Sequence, residues 1–183
     1  MLELTFINKM NSDKNSPEAF NVIVEIPKGS NIKYEIDIET GTIFVDRKLS
    51  TAMIYPFNYG FIPNTKEDDG DPVDVFVLGD YPVVPMSVIR ARPVGVLVTE
   101  DQEGQDSKII AVPIKEVDPG FSDVTNINSI ADHIRNQIKH FIEHHKDLEK
   151  GKYVQVIGWK DEEVAKKNIS EAVKRYNRQR HEK

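Results

Sequence analysis

SVIRARPVGVLVTEDQEGQDSKIIAVPI, Ser87 to Ile114, is two apolar, strand-forming runs with an acidic turn between them. Valine, isoleucine and leucine dominate both runs, and Gly and Pro interrupt the first. Working outward, the same reading applies to VDVFVL (Val73 to Leu78), TIFVD (Thr42 to Asp46), KYEIDI (Lys33 to Ile38) and VIVEI (Val22 to Ile26). KYVQVIGW, from Lys152 to Trp159, supplies one more strand that returns to the others. Short alternating strands separated by turn residues predict a small barrel or sandwich. In KYEIDI the alternation puts Tyr34, Ile36 and Ile38 on one face. Lys33, Glu35 and Asp37 share the other, which is either solvated or lines a polar cleft.

Two helices are expected near the C-terminus. Ile130, Ile134, Ile138, Phe141 and Leu148 mark one face from about Ser129 to Lys150, with Gly151 as the stop. Asp161 caps the second, whose stripe is Val164, Ile169, Ala172, Val173 and Tyr176. The basic end, KRYNRQRHEK, is expected to fray. The predicted class is α+β, a small closed OB-like barrel of antiparallel strands with two flanking C-terminal helices. One domain over 1–183 is expected, its core about 18–178.

With 183 residues, 39% of them hydrophobic, the chain can bury a core. A net charge of −6 argues against general affinity for nucleic acid. The absence of cysteine excludes disulfides and thiolate metal sites, and is compatible with a reducing cytoplasm, the expected location. The first fifteen residues show no signal-peptide pattern. No apolar run approaches the roughly 20 residues of a membrane span, so no membrane partner is expected.

The chemistry concentrates in DDGDPVD, Asp68 to Asp74. As a bland reading, Asp-Gly and Asp-Pro are turn dipeptides. Asp74, however, opens into an apolar strand, where aspartate is disfavoured. A second acidic cluster, with Asp101, Glu103 and Asp106, also lies between strands. Two such loops can converge on one mouth, where hard dications resolve the repulsion. A helix-loop-helix calcium site fails: counted from Asp101, the sixth and twelfth positions are Asp106 and Val112, not glycine and glutamate. The histidines lack a zinc spacing, and His140 and His144 read as exposed. Lys33, Arg47, Lys108 and Lys146 are more often solvated singly. Together with Tyr55 and Tyr59 they fit an anionic, phosphate-bearing substrate. OB-like barrels also bind oligonucleotides, but through basic, aromatic grooves unlike these acidic loops.

The chain resembles the soluble family I inorganic pyrophosphatases, of the bacterial type. DGDPVDV matches the family's acidic signature. VIVEIP, KYEID, GTIFVDR, STAMIYPFNYGFIPNT, VIRARPVGVL, DQEGQDSK, AVP and HKDLEKGK fall in its order and spacing, covering about Asn21 to Trp159. The resemblance implies hydrolysis of pyrophosphate to two orthophosphates in a homohexamer. It implies several Mg2+ ions per site, with Mn2+ or Zn2+ as substitutes. Asp69, Asp74, Asp101 and Asp106 would hold metal, and Asp71 would be the general base. Lys33, Glu35, Arg47, Tyr59 and Lys146 would meet substrate, supported by Glu25, Tyr55 and Lys108. Two positions depart from the pattern. Gln102 stands where a carboxylate is frequent. His145 replaces a tyrosine credited with a phosphate hydrogen bond; it also continues the apolar stripe, and as a donor it would titrate near pH ~6.5.

Overall fold

The computed structural model describes residues 15–102 and 104–181. The signal-peptide reading therefore falls almost wholly outside the described residues, as does Glu103. Among the described residues eight strands form: β1 (Phe20–Ile26), β2 (Ile32–Asp37), β3 (Thr42–Lys48), β4 (Asn58–Phe61), β5 (Asp74–Val77), β6 (Val88–Asp101), β7 (Gly104–Pro113) and β8 (Val154–Lys160). Two α-helices follow the strand-rich part, α1 (Asp132–His144) and α2 (Glu162–His181).

The main sheet runs β1-β4-β5-β7-β6-β8, and β1 also pairs with β6, closing a ring of five strands. β6 is long enough to serve two partners. Val88 to Ala91 pairs with β1, while Val96 to Asp101 pairs with β8 outside the ring. β2 and β3 form a separate hairpin. The expectation of antiparallel strands holds with one exception: β5 and β7 are parallel. Alternation reports which face a strand buries, not the direction of its neighbour.

VIVEI departs from its expected alternation because Val22, Ile23, Val24 and Ile26 are all buried. Val22 and Val24 join a cluster that receives Ala165, Ile169 and Ala172 of α2. Ile26 belongs to a second cluster with Tyr55, Tyr59, Phe76 and the α1 residues Ile138 and Phe141. Ile23 meets Ile36 and Phe61 in a third. β1 thus carries apolar cover on both sides. Gly60 lets β4 lie against it: a Cβ there would stand 1.9 Å from the Ile23 carbonyl oxygen, so only glycine fits.

α1 is shorter than its apolar period suggests. It ends at His144, and the chain turns through residues 145–151. Leu148 is off the stripe and 72% exposed. Gly151 has φ +77 and ends that turn rather than the helix. Asp161 caps α2 as expected, accepting from the Val164 N–H at 3.1 Å. The basic segment does not fray before His181, where the described helix ends. Trp159 is half-buried against the α1 cluster. Arg92 donates to the Phe121 carbonyl at 2.7 Å and holds the following loop. Among the described residues, no helix is long and apolar enough to cross a membrane.

Candidate active site

The N-terminal end of β5, the turn joining β6 to β7, the β2–β3 hairpin and the end of α1 border one cavity of about 510 Å³. Every residue given a role in the site from the sequence lines it except Tyr55. Tyr55 is buried behind the wall, 4.7 Å from the Phe141 ring and 5.6 Å from Tyr59. Tyr59 is buried too, with Phe76 on its edge at 4.8 Å. Burial, with Asp74 beside it, pushes the Tyr59 hydroxyl far above its ordinary range, so it remains a donor.

The acidic loop is shaped locally. The Asp71 N–H donates to Asp69 Oδ1 at 2.9 Å, and the Glu67 N–H donates to the Asp71 carbonyl at 2.7 Å. Gly70 takes φ +105, a conformation side chains resist. This tight turn puts Asp69 and Asp71 at the mouth, with Asp74 at the first position of β5. Asp101 ends β6, and Asp106 lies opposite Thr99 on β7.

Eight carboxylates line the cavity, against four cationic side chains. The imbalance shows in proton affinity. Burial, then Asp69 and Asp74, raises Asp71 above the usual carboxylate range. Burial raises Asp106, and lifts Glu25 from 4.5 to about 8 even though Glu25 accepts the Ile36 N–H at 2.9 Å.

The cations are spread along the wall. Lys108 is 8% exposed, and its Nζ lies 2.5 Å from Asp74 Oδ2 and 2.6 Å from Asp106 Oδ1. Those two charges lift its pKa despite burial. Lys33 pairs with Glu35 at 2.5 Å, and Arg47 with Asp46 at 2.5 Å. Lys146 lies 3.5 Å from Asp101 Oδ2. With Lys108 between Asp74 and Asp106, no three acidic or histidine side chains among the described residues enclose an ion-sized space. The donor set still fits a hard dication: the ligands are carboxylate oxygens, and they exceed the charges available to neutralise them.

Sequence reasoning missed Glu67 and Glu149. Glu67 lines the cavity, and burial followed by Asp74 raises it from 4.5 to about 7. Its adjacency to the acidic run was the available signal. Glu149 Oε1 lies 3.4 Å from Arg47 Nε, and both atoms are buried without a well-aligned hydrogen bond. It backs Arg47 from the turn after α1. His145 is 8% exposed and stacks on Phe141, 5.0 Å between centroids. Burial lowers its pKa from 6.5 to about 4, so the titration expected near pH ~6.5 is absent. His144, its neighbour, is 45% exposed and pairs with Asp147.

Residues 22–177 match the family model for inorganic pyrophosphatase. The chain belongs to the inorganic pyrophosphatase family. It is 54% identical to the inorganic pyrophosphatase of Sulfolobus acidocaldarius over 167 residues, 91% of this chain and 96% of that one. Two solved bacterial pyrophosphatases share its fold. The Helicobacter pylori enzyme superimposes with TM-score 0.89 at 47% identity, over 92% of this chain and 99% of that one. The Thermus thermophilus enzyme gives TM-score 0.90 at 38% identity, over 94% and 99%. The OB-like class expected for this chain is the fold it shares with these solved pyrophosphatases.

Proposed function

We propose that this chain hydrolyses inorganic pyrophosphate to two orthophosphates, with several magnesium ions held by Asp69, Asp74, Asp101 and Asp106. The observation that carries the reading is the collection of these acids and four cations around one cavity in a chain of the pyrophosphatase family. When bound, magnesium supplies neutralisation of substrate charge and makes water more acidic.

The chain's own groups do the rest. Lys33, Arg47 and Lys146 bind unprotonated phosphate oxygens, and the Tyr59 hydroxyl donates. Glu149 holds Arg47, and Glu25 and Glu35 orient water at the wall. Asp71 takes the proton from the attacking water. It borders the cavity with Asp69 and Asp74, and as a carboxylate it can accept that proton. The water oxygen bonds to one phosphorus while the bridging P–O bond breaks, its electron pair leaving with the second phosphate. Lys108 keeps Asp74 and Asp106 at fixed separation until the ions arrive. A homohexamer in the cytoplasm is the assembly and location we infer from the resemblance.

The test is phosphate release from pyrophosphate by metal-stripped protein. Turnover is expected only after magnesium is added. Equal release in the presence of a chelator would overturn the metal assignment, and no release with magnesium would overturn the reaction.

A further inference from the structure

His145 sits at the C-terminal end of α1 with its ring against Phe141, the two planes 18° apart. Its Nδ1 lies 3.1 Å from the Phe141 carbonyl oxygen and 3.0 Å from that of Ile142. A carbonyl oxygen only accepts, so Nδ1 carries a hydrogen and donates to both. Flipping the ring would put a carbon against the two carbonyls, which fixes the orientation. With its pKa lowered to about 4, the ring is neutral at pH 7, and Nε2 bears a lone pair. Nε2 has no hydrogen-bond partner among the described residues, and His145 borders the cavity next to Lys146. An obligate acceptor thus stands in a wall whose other phosphate-facing groups are donors.

We propose that His145 is a specificity-determining residue whose Nε2 accepts a hydrogen bond from a protonated phosphate oxygen, so that the cavity favours P–OH-bearing anions over fully deprotonated ones of the same shape. The proposal rests on the phosphate reading above and deepens it. The donors bind bare oxygens, while His145 requires that one oxygen carry a proton. Orthophosphate at neutral pH always carries at least one P–OH. Sulfate is tetrahedral and doubly charged but has no proton to give, so it brings lone pair against lone pair. Sites built around a specific buried hydrogen bond discriminate strongly against ligands that cannot complete it. A tyrosine at this position would do the opposite, donating to a bare oxygen.

The test uses the full chain labelled with 15N in the histidine rings, the His145 signals being those that persist when His133, His140, His144 and His181 are each replaced by Gln. Between pH 5.5 and 8 they should report a neutral Nδ1–H tautomer. Inorganic phosphate, added with magnesium, should move the Nε2 signal, and sulfate at equal concentration should not. In competition, phosphate should displace sulfate at least about tenfold more effectively than the reverse, and His145→Phe should lose most of that preference. An Nε2–H tautomer at pH 7, or equal Nε2 shifts with both anions, would overturn the proposal even if the variant fails to fold. A protein that hydrolyses pyrophosphate yet shows the wrong tautomer loses only this inference. One with the right tautomer and anion preference but no hydrolysis loses only the reaction.

Discussion

From Lys108 to Pro113, β7 is buried throughout, whereas from Gly104 to Ser107 the same strand is open or half-open. The inner half pairs with β5 and β6 through Ile109, Ile110 and Ala111, all apolar. The outer half carries Asp106 into the cavity. One strand therefore holds both the core's register and the site's charge. A slip of one residue at Ile110 would turn Asp106 away from Asp74. The lesson is that the core sets the position of the acids, and the acids in turn cost the fold stability.

If that division is right, changes at the outer end should alter chemistry or charge balance without disturbing the ring. The largest effect is expected at the mouth. Asp71→Asn should cut turnover by about 10²–10⁴, with the thermal midpoint unchanged. Steady-state phosphate release and a melting curve on the same sample check both halves of that statement. A variant that melts early would instead make Asp71 a structural residue.

The join between the halves should respond next. Lys108→Ala leaves Asp74 and Asp106 without their shared ammonium. Both acids keep about a third of their side-chain surface, 31% and 33%, so the metal-free protein should lose only about 2 kcal/mol. Urea unfolding measures this. Magnesium should then restore more stability to the variant than it adds to the parent.

A smaller effect, with a definite sign, is expected at Glu25. Its folded pKa of about 8 lies above the ordinary 4.5, so the folded state holds a proton that the unfolded chain has released. Stability of the metal-free protein should therefore fall as pH rises from about 4.5 through 8, then level off. Glu25→Gln should flatten that slope while its side-chain oxygen still accepts the Ile36 N–H. Melting temperatures in chelator between pH 5 and 9 test it, and an unchanged slope would mean Glu25 is ionised in the fold.

The strands and both acidic turns were legible because alternation and charge are local properties. Family resemblance then drew the site residues together, and all but Tyr55 do border one cavity. What stayed hidden depends on neighbours. The parallel β5–β7 pair leaves no mark in either strand. Leu148 keeps helical spacing although the helix stops at His144, because a run of tight turns follows. Glu149 meets Arg47 only because that turn folds back. His145 looked like a donor in sequence; the carbonyls that occupy its N–H belong to its own helix.

The most direct test of the central claim, that this surplus of carboxylates exists to receive dications, is calorimetric titration of metal-stripped protein with magnesium in two buffers of different ionisation enthalpy. The account predicts binding at millimolar supply or below, accompanied by proton release as raised carboxylates ionise, and marked weakening in Asp74→Asn. Magnesium uptake with no buffer dependence, or none at millimolar supply, would contradict it.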